Sequence, residues 1–283
     1  MNARRALALT LVFAGLAVPL AMRGACAQEA EAPPRLQWSF HGPFGLYDPA
    51  QLQRGFKIYR EVCSTCHSLK LLAFRNLADP GGPDFTEAQA AAIASSFQVT
   101  DGPNDQGQMF QRPGKSSDYF PLPFANDQAA RAALGGALPP DMSVLAKARS
   151  YEAGFPRFII DAFMMYQEDG PDYIHAILDG YKDPPAGFSL PPGAQYNKYF
   201  PGHAIGMPKP LSDGQVEYTD GTPTTVDQYG RDVAAFLMWA AEPKLDARKR
   251  LGFQVMIFLI IFTGLLYFTK WRVWQAVHSH PAT

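Results

Sequence analysis

The stretch YREVCSTCHSLK, residues 59–70, holds two of the chain's three cysteines and a histidine directly behind the second. C-x-x-C-H is the attachment signature of c-type haem. Two thiols can add to the two vinyl groups of the porphyrin while the imidazole of the next residue lies under the iron. The motif therefore predicts that Cys63 and Cys66 hold a haem covalently and that His67 ligates the iron. It occurs once, so one haem is expected.

Two other uses of paired cysteines compete with haem attachment. A structural zinc site needs four ligands, and no second Cys/His pair stands at zinc-finger spacing. A thioredoxin-like dithiol requires a βαβ context, which the pattern does not predict. Both alternatives are therefore weaker than haem.

The N-terminus has the pattern of a secretory signal peptide, predicted to span residues 1–27. Arg4 and Arg5 precede an apolar run, and the small residues of Ala25–Cys26–Ala27 suit cleavage before Gln28. Lipoprotein cleavage before Cys26 is the alternative. After export the mature chain keeps only two cysteines, too few for a fold held together by disulfides. Export also places the cysteine motif outside the cytoplasm, where c-type haem is attached.

A second apolar segment lies near the C-terminus, LGFQVMIFLIIFTGLLYFT at 251–269. As a helix it would be about 28 Å long, enough to cross a bilayer, and basic and aromatic residues flank both ends. A buried core helix is the alternative. With the signal peptide, this span places residues 28–250 in the periplasm and residues 270–283 in the cytoplasm. A single-pass protein of the bacterial inner membrane is predicted.

The predicted exported domain is acidic. The full chain carries a net charge of −1, but residues 28–243 contain 16 Lys and Arg against 25 Asp and Glu. An acidic surface repels nucleic acid and attracts basic partners. Two acidic loops are candidate docking sites for a basic protein, and ordinary solvated loops are the alternative. They carry Asp101, Asp105, Asp213, Glu217 and Asp220.

Helical spacing of apolar residues recurs through the exported domain. The predicted helices span 50–62, 86–98, 126–134, 142–150, 155–167, 171–181 and 224–243. Thr86 and Thr224 or Thr225 are suitable N-caps. Gly55 costs the first helix about 1 kcal/mol relative to Ala, and a glycine there often indicates that another helix crosses closely. Residues 183–223 are rich in Pro and Gly and predict mostly loop.

The residues alone leave the sixth ligand of the iron open. The candidates are Met109, Met142, Met164, Met165, Met207, His41, His175 and His203. Met164, Met165 and Met238 fall in apolar helical runs, where Met usually fills a core. Met207 stands in the Gly/Pro loop GHAIGMPKPL, which can direct a thioether inward. This favours Met207 modestly over His203 and Met142.

Longer stretches of the chain are similar to one family. They are RGFKIYREVCSTCHSL, DGPNDQGQMFQRPGKSSDYFP, NDQAARAALGGALPPDMS, YFPGHAIGMPKPL, DGTPTTVDQYGRDVAAFLMWAAEP and ARKRLGF. On these motifs the sequence resembles cytochrome c1, the haem subunit of the cytochrome bc (ubiquinol–cytochrome c reductase) complex. The resemblance covers most of the exported domain and the membrane stalk.

The resemblance implies an all-α, cytochrome c-like haem domain with long loops, anchored by one C-terminal transmembrane helix. Helix 50–62 would cross helix 225–241 near Gly55. The haem would be covalent and His/Met ligated, with Met207 as the sixth ligand. Arg131 would lie near a haem propionate. Residues 138–143, which include Pro139 and Pro140, would line the haem edge.

The resemblance also implies electron transfer. The protein would take electrons from the Rieske iron–sulfur protein and pass them to cytochrome c, in a complex that also contains cytochrome b and lies in membrane lipid. It would make no substrate bonds itself, although it belongs to an oxidoreductase. The alternatives are a stand-alone membrane-anchored shuttle and a subunit of a terminal oxidase. The segment 150–170 is longer than the corresponding segment of mitochondrial relatives, and no role is assigned to it.

Overall fold

The computed structural model describes residues 30–149, 155–164, 166 and 168–278. The predicted signal peptide, Cys26 and Met165 lie outside these residues. The α-helices of the described part are α1 Pro49–Glu61, α2 Glu87–Ser95, α3 Asp127–Ala133, α4 Leu145–Ala148, α5 Arg157–Met164, α6 Asp169–Asp179, α7 Val226–Ala241 and α8 Leu245–His278. The prediction of a mostly helical fold is confirmed.

Local capping explains where the two longest helices of the domain that precedes α8 begin. Asp48 accepts a hydrogen bond from the N–H of Ala50 at 3.0 Å and starts α1, with Pro49 in the first turn. Thr225 accepts from the N–H of Gln228 at 3.3 Å and starts α7. Thr86 and Gln89 form a reciprocal capping box at α2, as the position of Thr86 predicted.

Two short antiparallel strand pairs were not predicted. β1 Gln98–Asp101 pairs with β2 Phe110–Pro113, and β3 Gln195–Tyr196 pairs with β4 Ala204–Ile205. Their residues do not alternate between apolar and polar, so periodicity does not reveal them. They form because loops on a compact domain must satisfy their backbone N–H and C=O groups.

The crossing of α1 and α7 is the centre of the domain. A Cβ added to Gly55 would lie 2.0 Å from the carbonyl oxygen of Asp232 and 2.6 Å from the Cβ of Phe236. Only glycine permits so close an approach. The close crossing expected at Gly55 is confirmed, and around it the aromatic residues Phe56, Tyr59 and Phe236 form the buried core.

The two crossing helices run in opposite directions. Tyr47, just before α1, donates from its hydroxyl to the carbonyl oxygen of Met238 at 3.2 Å, near the end of α7. Gly55, further along α1, meets Asp232, which is earlier in α7. Because α8 follows directly after α7, the cysteine motif at the end of α1 lies toward the opposite end of the crossing from the membrane helix.

The membrane helix α8 is continuous from Leu245 to His278, longer than the predicted span of 251–269. At 34 residues it is about 51 Å long. None of its most apolar window is buried against the described part of the chain, which removes the alternative of a core helix. The charged segment before residue 251 is thus part of the helix, and no flexible tether joins the described domain to the candidate span.

The prediction that Met164 fills a core is wrong. Its side chain is 63% exposed, whereas Met238 on α7 is 1% exposed, as predicted. The apolar run around Met164 belongs to α5, whose apolar side chains point away from the domain.

Candidate haem-binding site

The cysteine motif forms one tight turn after α1. The N–H of His67 donates to the carbonyl oxygen of Cys63 at 2.8 Å, and the N–H of Cys66 donates to the same oxygen at 3.1 Å. The turn brings both thiols and the imidazole onto one short segment at the edge of the core. Cys63 and Cys66 form no disulfide with each other.

The thiol of Cys63 is unsuited to dithiol redox chemistry. Burial raises its pKa to about 12, and neighbouring Cys66 adds to the shift. Redox-active cysteines need a lowered pKa to supply a thiolate. The structure also contains no cluster of three or more His, Cys, Asp or Glu at metal-binding distance within its described ranges. The donor set therefore fits haem better than a dithiol or a zinc site.

The imidazole of His67 is oriented by a backbone carbonyl. Its Nδ1 lies 2.8 Å from the carbonyl oxygen of Pro140, so Nδ1 carries the proton and donates. The lone pair of Nε2 is then available to a metal. Burial lowers the pKa of His67, and the hydrogen bond to Pro140 offsets part of that effect. The neutral form that ligates iron is therefore favoured at neutral pH.

Asp141 ties the Pro140 segment to the cysteine motif. Its carboxylate accepts from the hydroxyl of Ser68 at 2.7 Å, from the N–H of Lys70 at 3.0 Å and from the N–H of Ser143 at 3.0 Å. The N–H of Met142 donates to the carbonyl oxygen of Ser68 at 2.8 Å. We call residues 67–71 and 140–143 with these bonds the Asp141 clasp. It holds the carbonyl of Pro140 where His67 needs it.

Sequence reasoning did not find the clasp. The signal was present in the string PDMS, because Asp followed two residues later by Ser is typical of a turn in which the carboxylate accepts a backbone N–H. The partner segment at 67–71 is about 70 residues distant in sequence, so periodicity could not reveal it.

Replacing Asp141 with Asn is expected to destabilise the protein by about 1–2 kcal/mol at pH 7, because the amide presents a donor where N–H groups already point. Burial alone raises the pKa of Asp141, but its hydrogen bonds from Lys70, Ser143 and Ser68 outweigh burial and hold the pKa below the ordinary value. The carboxylate thus stabilises the fold above the unfolded pKa of about 3.9, and that contribution is lost as pH falls through the folded pKa.

Thermal unfolding of the detergent-solubilised protein at pH 7, 5 and 3 measures this effect. The gap between wild type and Asp141→Asn should be widest at pH 7 and narrow at pH 3. Asp105→Asn is the control, because Asp105 is exposed and forms no ion pair with the described residues. A gap that does not change with pH would show that the charge of Asp141 contributes nothing.

Met207 lies in a loop that is fastened to α6. The hydroxyl of Tyr181 donates to the carbonyl oxygen of Met207 at 3.0 Å. Buried Asn197 donates to the carbonyl oxygen of Ile177 at 2.7 Å and accepts from the N–H of Tyr199 at 3.1 Å. The half-buried Met207 side chain contacts both the main core, which Cys63 also borders, and the smaller cluster under this loop.

Each of the three candidate histidines has one ring nitrogen in a polar contact with a residue outside the cysteine motif. His41 Nδ1 lies 3.2 Å from the carboxylate of Glu168, and His175 Nε2 lies 2.9 Å from the carboxylate of Asp227. His203 is buried, and its Nδ1 lies 3.1 Å from the carbonyl oxygen of Asn197. Among the methionines, Met109 is 60% exposed and Met142 is 8% exposed. A contact at one ring nitrogen does not prevent the other from ligating a metal, so Met207 stays the sixth ligand that the family resemblance implies.

The remaining predicted site residues have weaker contacts. Pro139 is half-buried beside Pro140, within the segment that faces the cysteine motif. Arg131 is exposed in the last turn of α3 and donates to the carbonyl oxygen of Gly136 at 3.0 Å. That bond uses one of its five N–H groups, so the others remain available to a carboxylate.

Comparison with known proteins gives one consistent result. The Cytochrome C1 family matches residues 38–277. The chain is 51% identical to "Cytochrome c1" of Blastochloris viridis, over 96% of this chain and 95% of that protein. It is 43% identical to "Cytochrome c1" of Rhodospirillum rubrum, over 94% and 96%. It is 59% identical to "Cytochrome b/c1" of Bradyrhizobium diazoefficiens, over 96% of this chain and 40% of that longer protein.

Proposed function

The chain belongs to the cytochrome c1 family, the haem subunit of the bc1 complex, and from that premise we propose that it accepts electrons from the Rieske iron–sulfur protein and passes them to cytochrome c. The observation that carries the proposal is the single turn presenting Cys63, Cys66 and His67, with His67 oriented through Pro140. The protein would be a subunit of ubiquinol–cytochrome c reductase that makes and breaks no substrate bond.

A c-type haem, when bound, supplies a one-electron carrier, and His/Met ligation raises its reduction potential. The protein's residues would do the rest. Cys63 and Cys66 attach the group, His67 offers Nε2, and Met207 offers its thioether from the loop that Tyr181 fastens. Arg131 would pair with a propionate, and Pro139 and Pro140 would cover the haem edge.

We propose that the haem domain faces the periplasm, with the signal peptide removed and the residues beyond the span in the cytoplasm. The separation of the cysteine motif from the start of α8 supports this arrangement, because it directs the site away from the bilayer toward mobile partners. The continuous α8 supports a fixed subunit rather than a shuttle, since a shuttle would use a flexible tether.

Extraction with a mild detergent tests the proposal. Copurification with a b-type cytochrome and a Rieske protein, in a chain whose mass exceeds that of the mature polypeptide by one haem, is the expected result. Recovery as a lone haem protein would support the stand-alone shuttle instead. Copurification with an oxidase core would support the terminal-oxidase alternative, and a mass equal to the bare chain would refute covalent haem.

The acidic loops contribute less to docking than their sequence suggests. Asp101 forms an ion pair with Arg112, and Asp220 forms one with Arg54 at 2.8 Å. Asp213 accepts the N–H of Val226 at 2.7 Å. Exposed Asp105 and Glu217 form no ion pair with the described residues. They are therefore the acidic side chains of these loops most available to a basic cytochrome c.

Electron transfer to a basic cytochrome c is expected to slow about tenfold as ionic strength rises from about 0.01 M to 0.3 M, because screening lowers the association rate. Stopped-flow kinetics measures it. The double variant Asp105→Asn, Glu217→Gln should flatten the salt dependence, whereas Asp213→Asn should change it less. A rate independent of salt in wild type would exclude electrostatic docking.

A further inference from the structure

Helix α5 has an inverted distribution of polar and apolar side chains. Its apolar side chains are exposed. The exposed fractions are 82% for Phe155, just before the helix, and 59% for Phe158, 53% for Ile160, 84% for Phe163 and 63% for Met164 within it. Its one acidic residue, Asp161, is 7% exposed. A surface helix of a soluble domain buries its apolar face and exposes its charges. An exposed aromatic patch of this kind marks an interaction surface.

Asp161 fixes the orientation of α5. It forms an ion pair with Arg35, whose guanidinium also lies 4.0 Å from the centre of the Tyr166 ring. A carboxylate is buried only when it is paired, so this contact holds the polar side of the helix against the domain. The aromatic side is consequently held outward.

Contacts connect α5 to the segment that rests on the membrane helix. Tyr166 donates its hydroxyl to the carboxylate of Asp172, which also accepts the indole N–H of Trp38 at 2.8 Å. Beyond Trp38 the chain reaches Phe40, whose carbonyl oxygen accepts from Nζ of Lys249 on α8 at 2.6 Å. Arg35, Asp172 and Trp38 therefore fasten α5 to residues 35–47.

Residues 40–46 reach the first turns of the predicted span. Phe44 is 73% exposed and lies edge-on to Phe253, with ring centres 5.6 Å apart. Lys249 also donates to the carbonyl oxygen of Gly45 at 3.1 Å. Phe44 and Phe253 are thus at the level where the apolar part of α8 begins, which is the level of the bilayer surface.

We propose that α5 lies in the membrane–water interface, with its aromatic face among the phospholipid acyl chains beside α8. The surface is continuous with the membrane span through residues 35–47. Its exposed charge, Arg157, is basic and would meet lipid phosphate. The binding surface for a protein partner typically has a polar rim around an apolar centre. The described part of α5 exposes no acidic side chain that could belong to such a rim, which favours lipid over a protein partner.

Site-specific photocrosslinking tests the proposal. The full-length protein, in the membranes of its native host and with its haem attached, carries p-benzoylphenylalanine at Phe163. After irradiation the intact mass of the chain is measured. The expected result is addition of one phospholipid to a large share of the crosslinked chains, with little addition of polypeptide.

Two matched positions calibrate the result. The same photoprobe at Phe44 should add phospholipid, because Phe44 touches the first turns of the span. At exposed Glu61, the last residue of α1, it should add at least tenfold less phospholipid. Attachment of Phe163 to another polypeptide, or a lipid yield no higher than at Glu61, would overturn the proposal. A thermal unfolding transition close to that of the wild type shows that each variant has folded.

Discussion

Replacing Met207 with Leu is expected to abolish the absorption band of methionine-ligated ferric haem and to lower the reduction potential by on the order of 0.2 V. Leucine fills the same space without a thioether, so an iron that Met207 ligates would lose the ligand that favours its reduced state. The loop itself should persist, because Tyr181 and Asn197 hold its backbone and not its side chain. A redox titration of the purified protein with visible spectra measures both effects.

Met142→Leu is the matched control. Met142 is another methionine candidate, and its side chain is 8% exposed in the main core. Its loss should cost less than about 1.5 kcal/mol of stability, as volume-conserving core changes do, and leave the band in place. If the band disappears in Met142→Leu and survives in Met207→Leu, the assignment of the sixth ligand is wrong.

Replacing Gly55 with Ala is expected to destabilise the protein by about 3 kcal/mol or more and to lower its melting temperature by about 10 °C. The added methyl would lie 2.0 Å from the carbonyl oxygen of Asp232, so α1 and α7 would have to separate. Separation would also disturb the buried contacts of Asp232, which accepts from Arg54 at 3.0 Å and from Tyr218 at 2.8 Å. Thermal unfolding followed by circular dichroism measures the loss.

The same change at Gly252 supplies the control. Gly252 lies in α8 with nothing within 4 Å of the position that an alanine Cβ would take, so alanine should be neutral or stabilise the helix by up to about 1 kcal/mol. The yield of covalent haem should fall for Gly55→Ala and stay constant for Gly252→Ala, since the cysteine motif directly follows α1. Equal melting temperatures of the two variants would contradict the close crossing.

Much of the site depends on contacts between distant parts of the chain. His67 and Pro140 are 73 residues apart and meet at 2.8 Å, and Tyr181 and Met207 are 26 apart. These bonds do not supply the ligands themselves. They set the tautomer of His67 and the backbone position of Met207, the two proposed ligands, and contacts of this kind tune a bound metal indirectly.

The mismatches between prediction and structure have a common origin. The helices predicted at 142–150 and 155–167 are shorter in the structure, at Leu145–Ala148 and Arg157–Met164. In the first case Asp141 and Ser143 bond to the cysteine motif and so remain outside a helix. In α5 the spacing of apolar residues correctly predicted a helix. The expectation that Met164 fills a core was wrong, because spacing alone does not tell which face of a helix packs against the domain.

Chemistry that depends on neighbours in the chain could be predicted from the amino-acid string. Cys63, Cys66 and His67 lie within one turn, Thr86 and Thr225 cap the helices that follow them, and the candidate membrane span follows from an uncharged run. Gly55 even indicated the crossing helix. Only the tertiary structure revealed four other features. They are the orientation of His67 by Pro140, the Asp141 clasp, the ion pairs of Asp101 and Asp220 in the acidic loops, and the outward apolar face of α5. Each of these depends on groups far apart in sequence, which meet only after the chain has folded.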